Sequence, residues 1–249
     1  MNIIKNIRSI KPRTVKAMLL TLPVVAIASL SPVLGSIANA ESTATASQDR
    51  LPTIISKGDQ EITRRLTTLS TLTSKINAAT KLSASDKTTL TSEVSSTISG
   101  LNTLKSQLDA ETTVAAAKTD VANIFSEYRV YALVAPKIGL IKVADDQQVT
   151  ESKLAALSTK LQARITADQT AGKNVTTLQA DLNDMNAQVS ASQAISSNME
   201  STVISLQPTD YNSDHTLLSG DSAKLKTAHT DNAAAVTDGK NIIAGLKSL

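Results

Sequence analysis

The stretch Val121–Ala144, VANIFSEYRVYALVAPKIGLIKVA, decides the reading of the fold. It holds the only Phe of the chain (Phe125) and two of its three Tyr (Tyr128 and Tyr131), with Pro136 near its middle. Proline lacks a backbone N–H and disfavours helix at the residue before it. A helix that reaches this point therefore either kinks or begins again with Pro136 in its first turn. Ser/Thr/Ala/Leu-rich segments with helical periodicity lie on both sides. The stretch is expected to be the joint between two helical halves.

Upstream, Ile55, Ile62, Leu66, Leu69, Leu72 and Ile76 fall on one helical face. Ser83, with Asp86 three residues later, has the form of an N-cap for a second helix. That helix carries Leu90, Val94, Ile98, Leu101, Leu104 and Leu108. After a break at 109–113, a third helix is predicted through Val114, Ala117, Val121, Ile124, Tyr128 and Tyr131.

Downstream, a fourth helix is predicted from Pro136 to about Thr170, with Ile138, Ile141, Val149, Leu154, Leu157, Leu161 and Ile165 inward. Gly172 suits the left-handed residue that ends it, and Asn174 can cap the next. The fifth helix shows a sustained alternation of three- and four-residue steps: Val175, Leu178, Leu182, Met185, Val189, Ser192, Ser196, Met199, Val203 and Leu206. Such a heptad favours near-parallel, coiled-coil-like packing. Pro208 stops it, the segment 207–213 (QPTDYNS) reads as a loop, and Ser213 or Asp214 is expected to cap a sixth helix bearing Leu218, Leu225, Ala228, Val236, Ile243 and Leu246.

The two halves echo each other. Leu69, Leu72 and Ile76 match Leu154, Leu157 and Leu161, and Leu90 with Val94 matches Leu178 with Leu182. Either a three-helix unit is repeated in tandem, or low-complexity amphipathic helices imitate one another. The predicted class is all-α: an elongated antiparallel bundle of about six long helices after a signal peptide. Its expected parts are a signal peptide (1–40), a flexible lead-in (41–52), a first three-helix unit (53–135) and a second (136–249).

The signal assignment rests on order. Lys5, Arg8, Lys11, Arg13 and Lys16 precede an uncharged run from Ala17 to Ala40 that ends in Ala38-Asn39-Ala40. An uncleaved segment would be the chain's one expected membrane contact. Without those five cations the 25 basic residues fall to 20 against 22 acidic ones, a net charge of −2. The basic surface that nucleic acid requires is thereby excluded. There is no Cys, so neither disulfides nor thiol chemistry can contribute.

Catalytic patterns are missing: no His-Glu-x-x-His, Gly-x-Ser-x-Gly, Ser-x-x-Lys or P-loop occurs. The only histidines, His215 and His229, are expected on one helix too far apart to share a metal ion. No enzyme activity and no cofactor are expected. The nearest approach to a metal site is Asp210, Asn212, Asp214 and Asp221, whose spacing echoes a calcium loop. His215 replaces the usual glycine of such a loop, and Asp221 is shorter than the usual glutamate. Phe125, Tyr128, Tyr131, Ile138 and Ile141 are read first as core at the joint, and alternatively as an interaction patch.

The segments Gly58–Leu69 (GDQEITRRLTTL), Glu127–Lys137 (EYRVYALVAPK) and Asn241–Leu249 (NIIAGLKSL), with the signal segment, resemble a group of uncharacterised exported helical proteins of small-genome bacteria. The resemblance implies a bacterial, extracytoplasmic helical bundle and carries over no active-site residue. The expected function is a structural spacer or protein-interaction component of the cell envelope or exterior, with a protein partner or self-association. A small-ligand or calcium-binding module using the 210–221 loop is the alternative.

Overall fold

A computed structural model describes residues 50–249, so the expected signal peptide and most of the lead-in lie outside the described residues. Among the described residues every regular element is helical: α1 (Leu51–Ala78), α2 (Ala84–Ala110), α3 (Val114–Ser126), a π-helical turn (Val130–Val134), α4 (Ala135–Thr170), α5 (Thr176–Val203), α6 (Pro208–Ser213) and α7 (Asp221–Ser248). The chain is an all-α helical bundle.

The local signals act as their chemistry requires. Ser83 accepts the Asp86 N–H at 3.0 Å and caps α2. Gly172, with φ 80°, ends α4 in the left-handed region. Thr67, Thr71 and Thr73 return their hydroxyls to the carbonyl four residues earlier at 3.0 Å, which satisfies the Thr-rich helices without outside partners.

The buried positions follow three- and four-residue steps on α1, α5 and α7. On α1 they are Gly58, Ile62, Arg65, Leu69, Leu72 and Ile76. From Leu178 to Val203 the α5 seam is the expected one, including the fully buried Ser192 and Ser196, while Leu206 lies past the end of the helix and is half-buried. On α4 the seam admits Lys137, Gln147, Glu151 and Asp168 beside Ala144, Leu154, Leu161 and Ile165, while Val149 is only half-buried. On α7 it runs through Asp221, Leu225, Ala228, Asn232, Ala235, Gly239 and Ile242. The expected Val236 and Ile243 lie one residue away from that seam and are half-buried. Alternating steps of this kind set neighbouring helices nearly parallel to one another.

Contacts fix the direction of each pair. Lys87 reaches the Asn77 carbonyl while Lys105 pairs with Asp59, so α1 and α2 are antiparallel. Thr68 meets Tyr131 and Ser83 meets Asp145, so α3, the π turn and α4 run as one rod alongside α1 and on past its end. Glu151 meets Ser192 and Ser196 while Gln162 meets Gln179, so α5 returns antiparallel to α4. Gln147 meets Asn232, and Gly239 lies against Leu157, so α7 runs parallel to α4.

Two apolar cores result. One joins α1, α2 and α3 to Ile138, Leu140, Ile141 and Ala144 of α4, Met199 and Val203 of α5 and Leu225 of α7. The other joins the later parts of α4, the earlier part of α5 and the end of α7. By packing, the halves meet inside α4 rather than at Pro136. Both sets of echoed leucines face inward, Leu69, Leu72 and Ile76 in the first core and Leu154 with Leu161 in the second.

The joint differs from expectation in detail. The third helix ends at Ser126 instead of running through Tyr131, and Arg129 takes the left-handed conformation with φ 41°. The π turn follows, with the Leu133 and Val134 N–H groups both donating to the Arg129 carbonyl at 2.8 and 3.2 Å. The widened turn delivers Pro136 into the first turn of α4, where its missing N–H is not needed. Further on, 208–213 is a short helix and not a loop. The last helix begins at Asp221 behind Gly220 (φ 79°), so neither Ser213 nor Asp214 caps it.

Two positions test this packing. A Cβ on Gly58 would collide with the side chain of the fully buried Leu108 and approach Val121 Cγ2 at 3.0 Å. Gly58→Ala is expected to destabilise by about 1–2 kcal/mol in urea unfolding, overpacking outweighing the roughly 1 kcal/mol gained in helix propensity. Lys137 is 0% exposed, donates to Glu93 Oε1 at 2.8 Å and to the carbonyls of Ile204 and Leu206 just past α5. Lys137→Ala strands those acceptors and is expected to cost about 3–5 kcal/mol, measured in the same way.

Candidate functional site

The aromatic joint divides into an outside and an inside. Phe125 is 43% exposed and Tyr131 36%, contrary to the core reading, because both leave the seam that buries Ile124 and Val130. Tyr128 is half-buried against Gly100, and Ile138 and Ile141 are core residues that no partner can touch. The five residues are therefore not one patch.

The outer part is an aromatic–arginine face. The Arg65 guanidinium lies 4.5 Å from the Phe125 ring centroid and 5.2 Å from that of Tyr131, and Arg64 stands 5.1 Å from Tyr131. Glu61 joins both arginines, and Thr68 Oγ1 meets the Tyr131 hydroxyl at 3.2 Å. Burial alone would raise the Glu61 carboxyl, but the hydrogen bonds and charges of Arg65 and Arg64 outweigh it and hold the group below its usual value. Arg65 is nearly buried under the rings, whereas Arg64 stays open to water.

The 210–221 residues are spent on structure. Asp210 accepts the Gln207 N–H at 2.8 Å and caps α6. Asn212 accepts from Arg129 Nε at 2.6 Å and donates to the Ser126 carbonyl at 2.9 Å, bracing the strained turn after α3. Asp214 accepts the Thr216 N–H and hydroxyl, which hold its carboxyl below the usual value. Asp221 is buried at the start of α7 and pairs with Lys224 at 2.9 Å. His215 packs on Tyr211 before α7 begins, so it does not share a helix with His229.

Sequence reasoning missed a polar layer where the two cores meet. Glu151, 3% exposed, accepts from Ser192 Oγ at 2.6 Å and from Ser196 Oγ at 2.9 Å, and Asn232 donates to Gln147 at 2.8 Å. Beside them, Asp86 from α2, Asp145 from α4 and Glu200 from α5 each bring a carboxylate oxygen within 4.8 Å of the others. Among the described residues this is the one such gathering of acidic or imidazole groups. The Ser83 N–H donates to Asp145 Oδ2 at 2.6 Å, and Gln148 donates to Glu200. Asp86 Oδ2 is buried and accepts no hydrogen bond. The three acids lie on different helices, so no local spacing could have announced them.

Burial pushes the Asp145 carboxyl up to about 6, and the charges of Asp86 and Glu200 push the same way against the opposing Ser83 N–H. Chemically, the site is three hard oxygen donors in a position that favours neutralisation of charge.

The chain matches no family model, and no curated protein or solved structure matches it significantly.

Because the folded value lies above the unfolded 3.8, Asp145 contributes stability that is intact below 3.8 and lost as pH rises through about 6. Asp145→Asn removes that titration while keeping an acceptor for Ser83. Its advantage over the parent, measured by urea unfolding in chelator, is expected to grow between 3.8 and about 6 and then level off. A constant difference across that range would contradict the burial of an ionisable Asp145.

Proposed function

We propose that this chain is an exported, non-enzymatic helical-bundle protein, a structural spacer or protein-interaction component of the cell envelope or exterior. The observation that carries the reading is the outward placement of Phe125 and Tyr131. In a chain with a single Phe and no Trp, exposing that ring beside a tyrosine and two arginines serves contact more than cohesion. The pairing of rings with the open guanidinium of Arg64 suits a protein surface that offers aliphatic groups and a carboxylate.

The remaining support concerns class. Buried polar side chains such as Glu151, Lys137 and Gln147 have partners that explain them as packing elements, without invoking a reaction. No described helix is long and apolar enough to cross a membrane. The order of charge and apolarity in residues 1–40 favours export, and the likeness to exported helical proteins of small-genome bacteria points the same way.

The test uses a photo-crosslinking amino acid at position 125 in the producing cell, with the chain's amino terminus sequenced from the extracytoplasmic fraction. The expected results are a terminus at Glu41 and a discrete crosslink to an envelope protein or to a second copy. Phe125→Ser with Tyr131→Ser is expected to keep the helical circular dichroism, lose about 1–2 kcal/mol from the arginine–ring contacts, and lose the same crosslink when the probe sits at the neighbouring position 122. An unchanged crosslink in that variant would remove the aromatic face from the proposal, and cytoplasmic retention of the intact chain would remove export.

A further inference from the structure

We propose that Asp86, Asp145 and Glu200 bind one hard divalent cation, calcium by preference, at the meeting of α2, α4 and α5. The site is additional to the aromatic face and uses none of the residues of the 210–221 loop that the sequence pattern suggested.

Three observations converge. The donor set is entirely carboxylate oxygen, the chemistry that hard cations take. The oxygens lie within 4.8 Å of one another, a separation spanned by a single ion with oxygens at about 2.4 Å on either side. Asp86 is 3% exposed, and its Oδ2 has no hydrogen-bond partner. A buried carboxylate oxygen left bare is costly, and its neighbours here are two further acids.

No basic side chain among the described residues answers them. Lys81 is turned to Asp146 at 3.5 Å, and Lys137 is held by Glu93. The backbone N–H of Ser83 and the amide of Gln148 each fix one oxygen, as outer partners orient ligands around an ion. A proton shared between Asp86 and Asp145 would cancel one of the three negative charges, whereas a divalent ion cancels two and joins the three helices. The ion would link an acid of the first helical hairpin to acids of the second.

The experiment takes the full chain stripped with chelator at pH 8 and titrates calcium chloride, with sodium chloride at equal ionic strength as control. Calorimetry is expected to show one saturable site per chain, and Tm is expected to rise by about 5–10 °C at a hundredfold excess over Kd. Asp145→Asn and Glu200→Gln, made separately so that one misfolding variant does not end the test, are expected to weaken calcium binding at least about tenfold. Metal-free Asp145→Asn is expected to melt no lower than the metal-free parent, which a merely structural carboxylate would not allow. Equal responses to calcium and sodium salts, or unchanged affinity in both variants, would overturn the site. Stabilisation on acidification with no calcium response would replace the ion by a shared proton, and would overturn it as well.

Discussion

Helix α4 has to be buried in two different cores, and this constraint shapes the rest of the molecule. Its first part is enclosed by α1, α2, the end of α5 and the start of α7, so Lys137, Ile138, Leu140 and Ile141 are all buried. Its later part has only α5 and α7 for company, and the buried positions thin to a single seam through Leu154, Leu161 and Ile165. One continuous rod of 36 residues thus aligns two helical hairpins without any disulfide. Each buried aliphatic side chain supplies about 1.5–3 kcal/mol, and the rod distributes that cohesion to both halves.

The rod could not be one uninterrupted α-helix from α3 onward. An α-helical Pro136 would press its ring on the carbonyl of Ala132 and leave that acceptor without its N–H. The chain meets the difficulty one turn earlier, by a left-handed Arg129 and a π turn. Left-handed geometry strains a residue with a Cβ, and the surroundings hold Arg129 there: its guanidinium lies 5.6 Å from the Tyr211 ring, and Nε is fixed by Asn212. Asn212, one of the residues that resembled a calcium loop in the sequence, is thereby accounted for as a brace on this strained point.

Where a residue's role depended on near neighbours, it was legible in the sequence. Ser83 as a cap, Gly172 as a terminator and the α5 seam from Leu178 to Val203, Ser192 and Ser196 included, follow from local spacing. Where burial was assigned by hydrophobicity, the reading slipped. On α7 the apolar Val236 and Ile243 suggested a stripe that lies one residue beside the true seam, which passes through Asn232, Ala235, Gly239 and Ile242. Phe125 and Tyr131 looked like core because they are large, yet they point outward over Arg65. Asp86, Asp145 and Glu200 could not be seen as a group at all, since only the register between three separate helices brings them together.

That register is itself set by polar residues. Glu151 sits opposite Ser192 and Ser196, whose hydroxyls both donate to it. Sliding α5 along α4 by one heptad in either direction preserves the alternation of three- and four-residue steps, and by apolar packing alone the shifted pairings would be nearly as good. A slide one way would set Met185 and Val189 against the carboxylate, and a slide the other way Met199 and Val203. Each leaves a buried charge without a donor, at a cost of about 1–3 kcal/mol or more. The same slide would part Gln148 from Glu200 and draw Glu200 away from Asp86 and Asp145. Small hydroxyls in the α5 seam, which weaken the helix as isolated residues, therefore select one alignment from a set that oily side chains could not distinguish.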